Sequence, residues 1–302
     1  MATVGTKAEI KLRNILYLTD FSGPSEAALS FAIALGRGYG AKVHALHILL
    51  PTPYPYAYAA PGLTALALDA EEENAQAEMQ KVESQLTGLQ HETAVERGVS
   101  IWPGVEQAIR DGAIDLIVVG THGRTGAEKL LMGSVAEEIF RRSPVPVLTI
   151  GPSAPGTVHN GARFYRVLFA TDLTPESLAG ARYAVSLARE NRSRLLLLLV
   201  MRKPEHPTAD ENRIHEISAA EAMHRLHEIV PDDAQLEFPA EVVVEFGEPA
   251  ERIVAAAKQR GVDLIVLGVR KSKHIGAATH LERATSHKVV AHATCPVLTV
   301  RG

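Results

Sequence analysis

The chain has 302 residues, 46% hydrophobic and 22% charged, a balance that supports one large buried core or two ordinary ones and excludes a disordered chain. Its formal net charge of −4 argues against a nucleic-acid-binding surface, since such surfaces carry a basic excess. The single cysteine, Cys295, rules out an intrachain disulfide and points to a reducing, cytoplasmic setting.

The opening residues contain no apolar stretch of signal-peptide length. The longest aliphatic run, Leu195 to Met201, is too short to span a bilayer, so no membrane contact is expected. Short aliphatic runs then alternate with helical stretches. Strands are expected near 14–19, 43–49, 92–97, 115–120 and 145–150, and helices near 23–38, 66–88, 103–112 and 134–142. A Gly/Pro/Ser stretch from Gly151 to Thr157 reads as a linker.

Beyond the linker the pattern starts again. Arg13 to Leu49 aligns without a gap with Tyr165 to Met201, Asp115 to Gly120 (DLIVVG) answers Asp263 to Gly268 (DLIVLG), and Val145 to Ile150 (VPVLTI) answers Cys295 to Val300 (CPVLTV). Strands of the second copy are expected near 166–171, 194–200, 240–246, 263–268 and 296–300. The expected architecture is α/β: two tandem doubly wound domains, over 1–152 and 160–302, each a five-stranded parallel sheet with helices on both faces. The last strand of each copy would expose an unpaired edge unless covered.

In an open parallel sheet, ligands bind beyond the carboxyl ends of the strands where strand order reverses, so the segments after each strand carry the information. After the first strand comes Thr19-Asp20-Phe21-Ser22; after the fourth, Gly120, Gly123 and Gly133-Ser134 follow in the spacing G-x2-G-x9-G-S and open the next helix. Glycines allow close backbone approach, and free N–H groups at a helix start attract phosphate. The competing reading makes the glycines turn residues and Ser134 a helix cap, in capping-box spacing with Glu137. Asp20 likewise has a turn reading, since Asp172 repeats it.

The glycine spacing, set between DLIVVG and PVPVLTI and joined to the opening ILYLTDFS, resembles the ATP-binding motif of the universal stress protein family, and the resemblance spans nearly the whole chain as a tandem member. It implies the adenine nucleotide α-hydrolase-like fold and ATP, alone or with magnesium, as ligand. The adenine would lie near the first two strands, with Thr19-Asp20 by the sugar or base and the Ile48 backbone on the ring. Val119, Gly120 and Gly123 would line the ribose and phosphates, and Gly133, Ser134 and Val135 would hold the phosphate chain. The resemblance also implies that the last strands pair across a two-fold axis, here within one chain; a homodimer and unidentified protein partners remain admissible.

In the second copy Lys271 replaces Gly123, and Arg283-Ala284 replaces Gly133-Ser134, so one ATP per chain is expected. Arg270, Lys271, Lys273, His274 and Arg283 there read as a solvated basic loop, with anion binding as the alternative.

Other motifs carry less. His224, His227 and Glu228 lack a complete metal-ligand set, and His44 and His47 sit on opposite strand faces. Lys273 to Gly276 matches a synthetase signature only in letters, being on the wrong strand, and Pro51 to Tyr58 reads either as a lid over a bound base or as a surface loop. A regulatory nucleotide-binding protein is the first functional reading. Its rivals are a slow ATPase using Asp20 with a divalent ion and a ligand-free scaffold. No catalytic base and nucleophile pair is evident.

Overall fold

The computed structural model describes residues 10–51, 61–121, 132–152, 154, 163–202, 209–270 and 279–302, with the backbone alone described over 61–66, 209–216 and 279–284. Ten strands are present among the described residues, most of them on the aliphatic runs. In the first half β1 (Asn14–Leu18), α1 (Gly23–Tyr39), β2 (Lys42–Leu49), α2 (Pro61–Gln85), β3 (His91–Arg97), α3 (Ile101–Asp111), β4 (Leu116–Gly120), α4 (Ser134–Arg142) and β5 (Val147–Ile150) follow one another. In the second half come β6 (Arg166–Ala170), α5 (Pro175–Leu178), α6 (Ala181–Asn191), β7 (Arg194–Met201), α7 (Ala209–His227), β8 (Glu241–Phe246), α8 (Pro249–Gln259), β9 (Leu264–Val269), α9 (Thr279–His292) and β10 (Val297–Arg301).

The strands lie in one sheet of order β3-β2-β1-β4-β5-β10-β9-β6-β7-β8. Every neighbouring pair is parallel except β5 with β10. Strand alternation sorts the core into two layers. Ile15, Tyr17, Val43 and Ala45 pack with Leu29 of α1 and Met79 of α2. Leu16, Leu18, Leu46 and Ile48 pack on the other face with Val105 of α3 and Ile139 of α4. This two-sided burial explains why the strands read as continuous aliphatic runs.

The repeated aspartate of the DLIV motif turns out to be a clamp. Asp115 Oδ2 accepts the N–H groups of Arg13 at 2.7 Å and Asn14 at 3.0 Å, and Asp263 accepts those of Tyr165 at 2.7 Å and Arg166 at 3.0 Å. Each ties the start of its fourth strand to the start of its first.

Where the alignment gives one Ala-rich helix per copy, the second copy breaks it into α5 and α6. Gly180 lies at the break, and a Cβ there would stand 3.0 Å from the Phe169 ring and 3.1 Å from the Gly268 nitrogen. The short α5 turn rests directly on the end of β9, so close packing interrupts the helix.

The two halves meet along β5 and β10, antiparallel, with Thr149 opposite Val297 and Thr299 opposite Val147. The threonine side chains repeat this symmetry: Thr149 Oγ1 donates to the Val297 carbonyl at 3.0 Å and Thr299 Oγ1 to that of Val147 at 3.2 Å. The edges anticipated from sequence thereby cover each other. Helices complete the seam, with the Tyr39 hydroxyl donating to Glu190 at 2.7 Å and His287 lying 4.0 Å from Glu137.

Candidate functional site

The chain leaves β1 toward β2 and β3 and returns on the other side as β4, so strand order reverses between β1 and β4. A cavity of about 140 Å³ opens at that point. Thr19, Asp20, Ile48, Val119, Gly120, Gly133, Ser134 and Val135 all line it. Gly123 lies outside the described residues, as do Thr52 to Tyr58 of the suggested lid.

The loop after β1 is held in a strained, fully bonded turn. Phe21 has φ of 61°, a left-handed conformation costly for a residue with a side chain, and its N–H donates to Thr19 Oγ1 at 2.9 Å. Asp20 Oδ1 accepts from the Ser22 N–H at 3.1 Å and from the hydroxyls of Ser22 and Ser25, both at 2.6 Å. The turn reading of Asp20 is therefore present in the structure, alongside its place in the cavity wall. Leu173, with φ of 64°, and Asp172, which accepts from Thr174, repeat the device in the second half.

Gly120 has a packing use beside the one its spacing suggests. A Cβ there would lie 2.9 Å from the Pro24 carbonyl carbon and oxygen, so its bareness admits the first turn of α1. Gly268 does the same for α5, where the Ser177 oxygen would stand 2.1 Å away. Packing explains both.

The phosphate-side geometry belongs to α4. Gly133 occupies the N-cap in an extended conformation, and Ser134 is the first helical residue. The capping-box alternative is not formed, because Ser134 is one position too late to cap, and the Glu137 N–H instead donates to the Gly133 carbonyl at 2.9 Å. The N–H groups of Ser134, Val135 and Ala136 have no partner within the helix, and these residues line the cavity. The Gly133 N–H reaches back to the Thr121 carbonyl at 2.7 Å, which fixes the helix start over the end of β4.

Sequence reasoning weighed His47 only as a metal ligand and did not single out Ser25, Ile101 or Thr121, all of which also line the cavity. His47 is buried, its Nδ1 lies 2.8 Å from the Thr19 carbonyl, and its ring lies against that of Phe21, centroids 4.4 Å apart and tilted by 41°. A carbonyl only accepts, so the proton sits on Nδ1. The position of His47 in the last turn of a buried strand was the available signal.

The other candidates find structural uses. His224 is exposed and lies 3.5 Å from Glu228, and among the described residues no cluster of three metal-ligating side chains exists. Burial, reinforced by the Asp263 charge, pushes the Cys295 thiol up to about 12, which makes it a poor nucleophile. In the second half α9 already begins at Thr279, before the Arg283-Ala284 pair that aligns with Gly133-Ser134. Lys271, Lys273 and His274 lie outside the described residues. Among the described residues no helix is long and apolar enough to cross a membrane.

Fold and site together define a doubly wound α/β protein, built twice in one chain, with a cleft at the strand-order reversal beside a helix N-terminus. The family model for the universal stress protein family matches residues 11–151 and again 163–301, and the chain belongs to that family. Universal stress protein MJ0531 of Methanocaldococcus jannaschii is 33% identical over 140 residues, covering 46% of this chain and 81% of its own. Universal stress protein YxiE of Bacillus subtilis is 34% identical over 149 residues, covering 46% of this chain and 99% of its own. A solved universal stress protein from Archaeoglobus fulgidus shares the fold across 95% of this chain and 98% of its own, with a TM-score of 0.63 at 22% identity.

Proposed function

We propose that the first domain binds ATP, alone or with magnesium, and that the protein is a cytoplasmic stress-response or regulatory protein whose partners read nucleotide occupancy. The observation that carries this is convergence: eight residues, chosen from a motif spread over 117 positions from Thr19 to Val135, line one cavity at the strand-order reversal. Three N–H groups without helical partners give its α4 side the character of an anion site. The cavity's 140 Å³ fall below the roughly 300 Å³ of a complete small-molecule site, so the proposed nucleotide would extend beyond it over the strand ends.

Occupancy, not turnover, is the proposed signal. Asp20 Oδ1 already accepts three hydrogen bonds from its own loop, so its carboxylate is engaged in holding the turn. Turnover is therefore expected below about 1 s⁻¹, the lower end of the usual enzyme range. Steady phosphate release faster than this from the purified protein would put the ATPase reading first.

Titration calorimetry on the full chain tests the site. One ATP per chain is expected, lost in Gly133→Leu, where a branched side chain enters phosphate space without disturbing an extended backbone. Unchanged affinity in that variant would refute the assignment.

A further inference from the structure

A cavity larger than the first-domain one lies at the second domain. It measures about 410 Å³, within the range of small-molecule sites, and occupies the position that corresponds to the first-domain site. Ala170, Thr171 and Asp172 line it as Leu18, Thr19 and Asp20 line the other. The chemistry differs. Among its described lining residues the first cavity has no lysine or arginine, whereas the second has Arg141, Arg202, Arg270 and Arg301 against two carboxylates, Asp172 and Glu176. That local cationic excess stands out in a chain of net charge −4.

Two of the arginines show that the site is composite. Arg141 comes from α4 of the first domain, while Arg301, at the end of β10, donates through Nη2 to the carbonyls of Phe140 at 2.9 Å and Arg141. The aligned position in the first copy is Gly151, so this clamp exists on one side of the pseudo-symmetry only. Arg270 is positioned by Glu176 at 3.7 Å. Beneath the charges the floor is apolar, formed by Leu198, Val200, Ile253 and Leu267.

The backbone route to anion binding is closed here. Because α9 begins at Thr279, residues 284–286 lie well inside the helix, where N–H groups donate to carbonyls four residues back. The side chains supply replacements, since Thr285 and Ser286 line the cavity where Val135 and Ala136 line the first.

We propose that this composite cavity is a second ligand site, for a small organic anion with an apolar body, held by guanidinium side chains instead of backbone N–H groups. A phosphate or carboxylate head meets the arginines and hydroxyls, and the body lies on the aliphatic floor. The site stands whether or not the first domain binds ATP.

Anilinonaphthalene sulfonate, an aromatic anion, is a suitable probe for fluorescence titration of the full-length native protein. Binding of one probe per chain is expected, weakened about three- to tenfold by Arg141→Ala and by Arg202→Ala, two exposed positions whose loss leaves the core intact. Phenyl phosphate or benzoate should displace the probe, the better competitor identifying the head group. Three results would each overturn the proposal: unchanged probe affinity in both variants, displacement by neither competitor, or a probe dissociation constant that rises in proportion to ATP without levelling off. The last would mark a second nucleotide site. Loss of ATP binding in calorimetry with probe binding intact would fell only the first-domain reading.

Discussion

A glycine that ends a strand beside a ligand cleft invites a ligand-based explanation, and the two halves of this chain allow that explanation to be tested. Gly120 and Gly268 hold matching positions, yet α9 offers no helix start beside Gly268. The contact to α5 is nonetheless the tighter, with the Glu176 oxygen at 2.5 Å and the Ser177 oxygen at 2.1 Å from a Cβ, against 2.9 Å to Pro24 for Gly120. Alanine should therefore destabilise by about 2–3 kcal/mol at Gly268 and about 1 kcal/mol at Gly120, measured by urea unfolding. A larger loss at Gly120 would contradict the packing account. Asp172 offers a second test at this scale. Burial opposes its ionisation, but hydrogen bonds from Ser177 and Thr174 outweigh that and hold the carboxyl below its usual range. A depressed folded-state value means that the carboxylate stabilises the fold above about pH 4 and ceases to do so as pH falls through the folded value. The stability gap between the parent and Asp172→Ala should then be present at neutral pH and close in acid. A gap that persists unchanged at pH 2–3 would assign it to lost packing.

At the scale of elements, the repeat, the strands and the position of the cleft were legible because buried parallel strands and the helices between them leave strong, separate periodicities. What was not legible depends on contacts between distant segments. The break between α5 and α6 follows from Gly180 meeting Phe169 and Gly268, and the arginine-lined cavity follows from β10 lying beside β5, which brings Arg141 and Arg301 together from 160 residues apart. The start of α9 was also not legible from residue identity. The alignment lays the loss of a phosphate cradle to the exchange of Gly133-Ser134 for Arg283-Ala284, whereas the structure lays it to a helix that starts earlier. The two accounts separate on Ala284→Ser, which restores the hydroxyl but leaves the helix start alone. ATP stoichiometry in calorimetry should stay at one per chain. A second equivalent would show that the side chain decides.

Across the whole molecule the seam between β5 and β10 holds the two halves together and lies between the two cavities. Thr149 and Thr299 are buried and bond reciprocally to the opposite strand, so the double substitution Thr149→Val with Thr299→Val keeps shape while deleting two hydrogen bonds, and should cost about 1–3 kcal/mol of unfolding free energy. Helix α4 lies along this seam with its two ends in different sites. Its first residues, Ser134 to Ala136, line the proposed nucleotide cavity, and its last turn, Phe140 and Arg141, lines the arginine cavity. Nine helical residues span about 13.5 Å, so a nucleotide that drew on the N-terminal N–H groups and shifted the helix as a rigid rod would displace the C-terminal carbonyls held by Arg301. Linkage then requires reciprocity: saturating ATP should change probe affinity by some factor, and saturating probe should change ATP affinity by the same factor. A coupling of about 5-fold or more is the expected scale. Arg301→Leu should reduce that factor toward one, over and above any weakening of the probe from the lost cavity charge, because it severs α4 from β10 and leaves the α4 N-terminus in place. Coupling that survives Arg301→Leu undiminished would exclude this strand-to-helix clamp as its route.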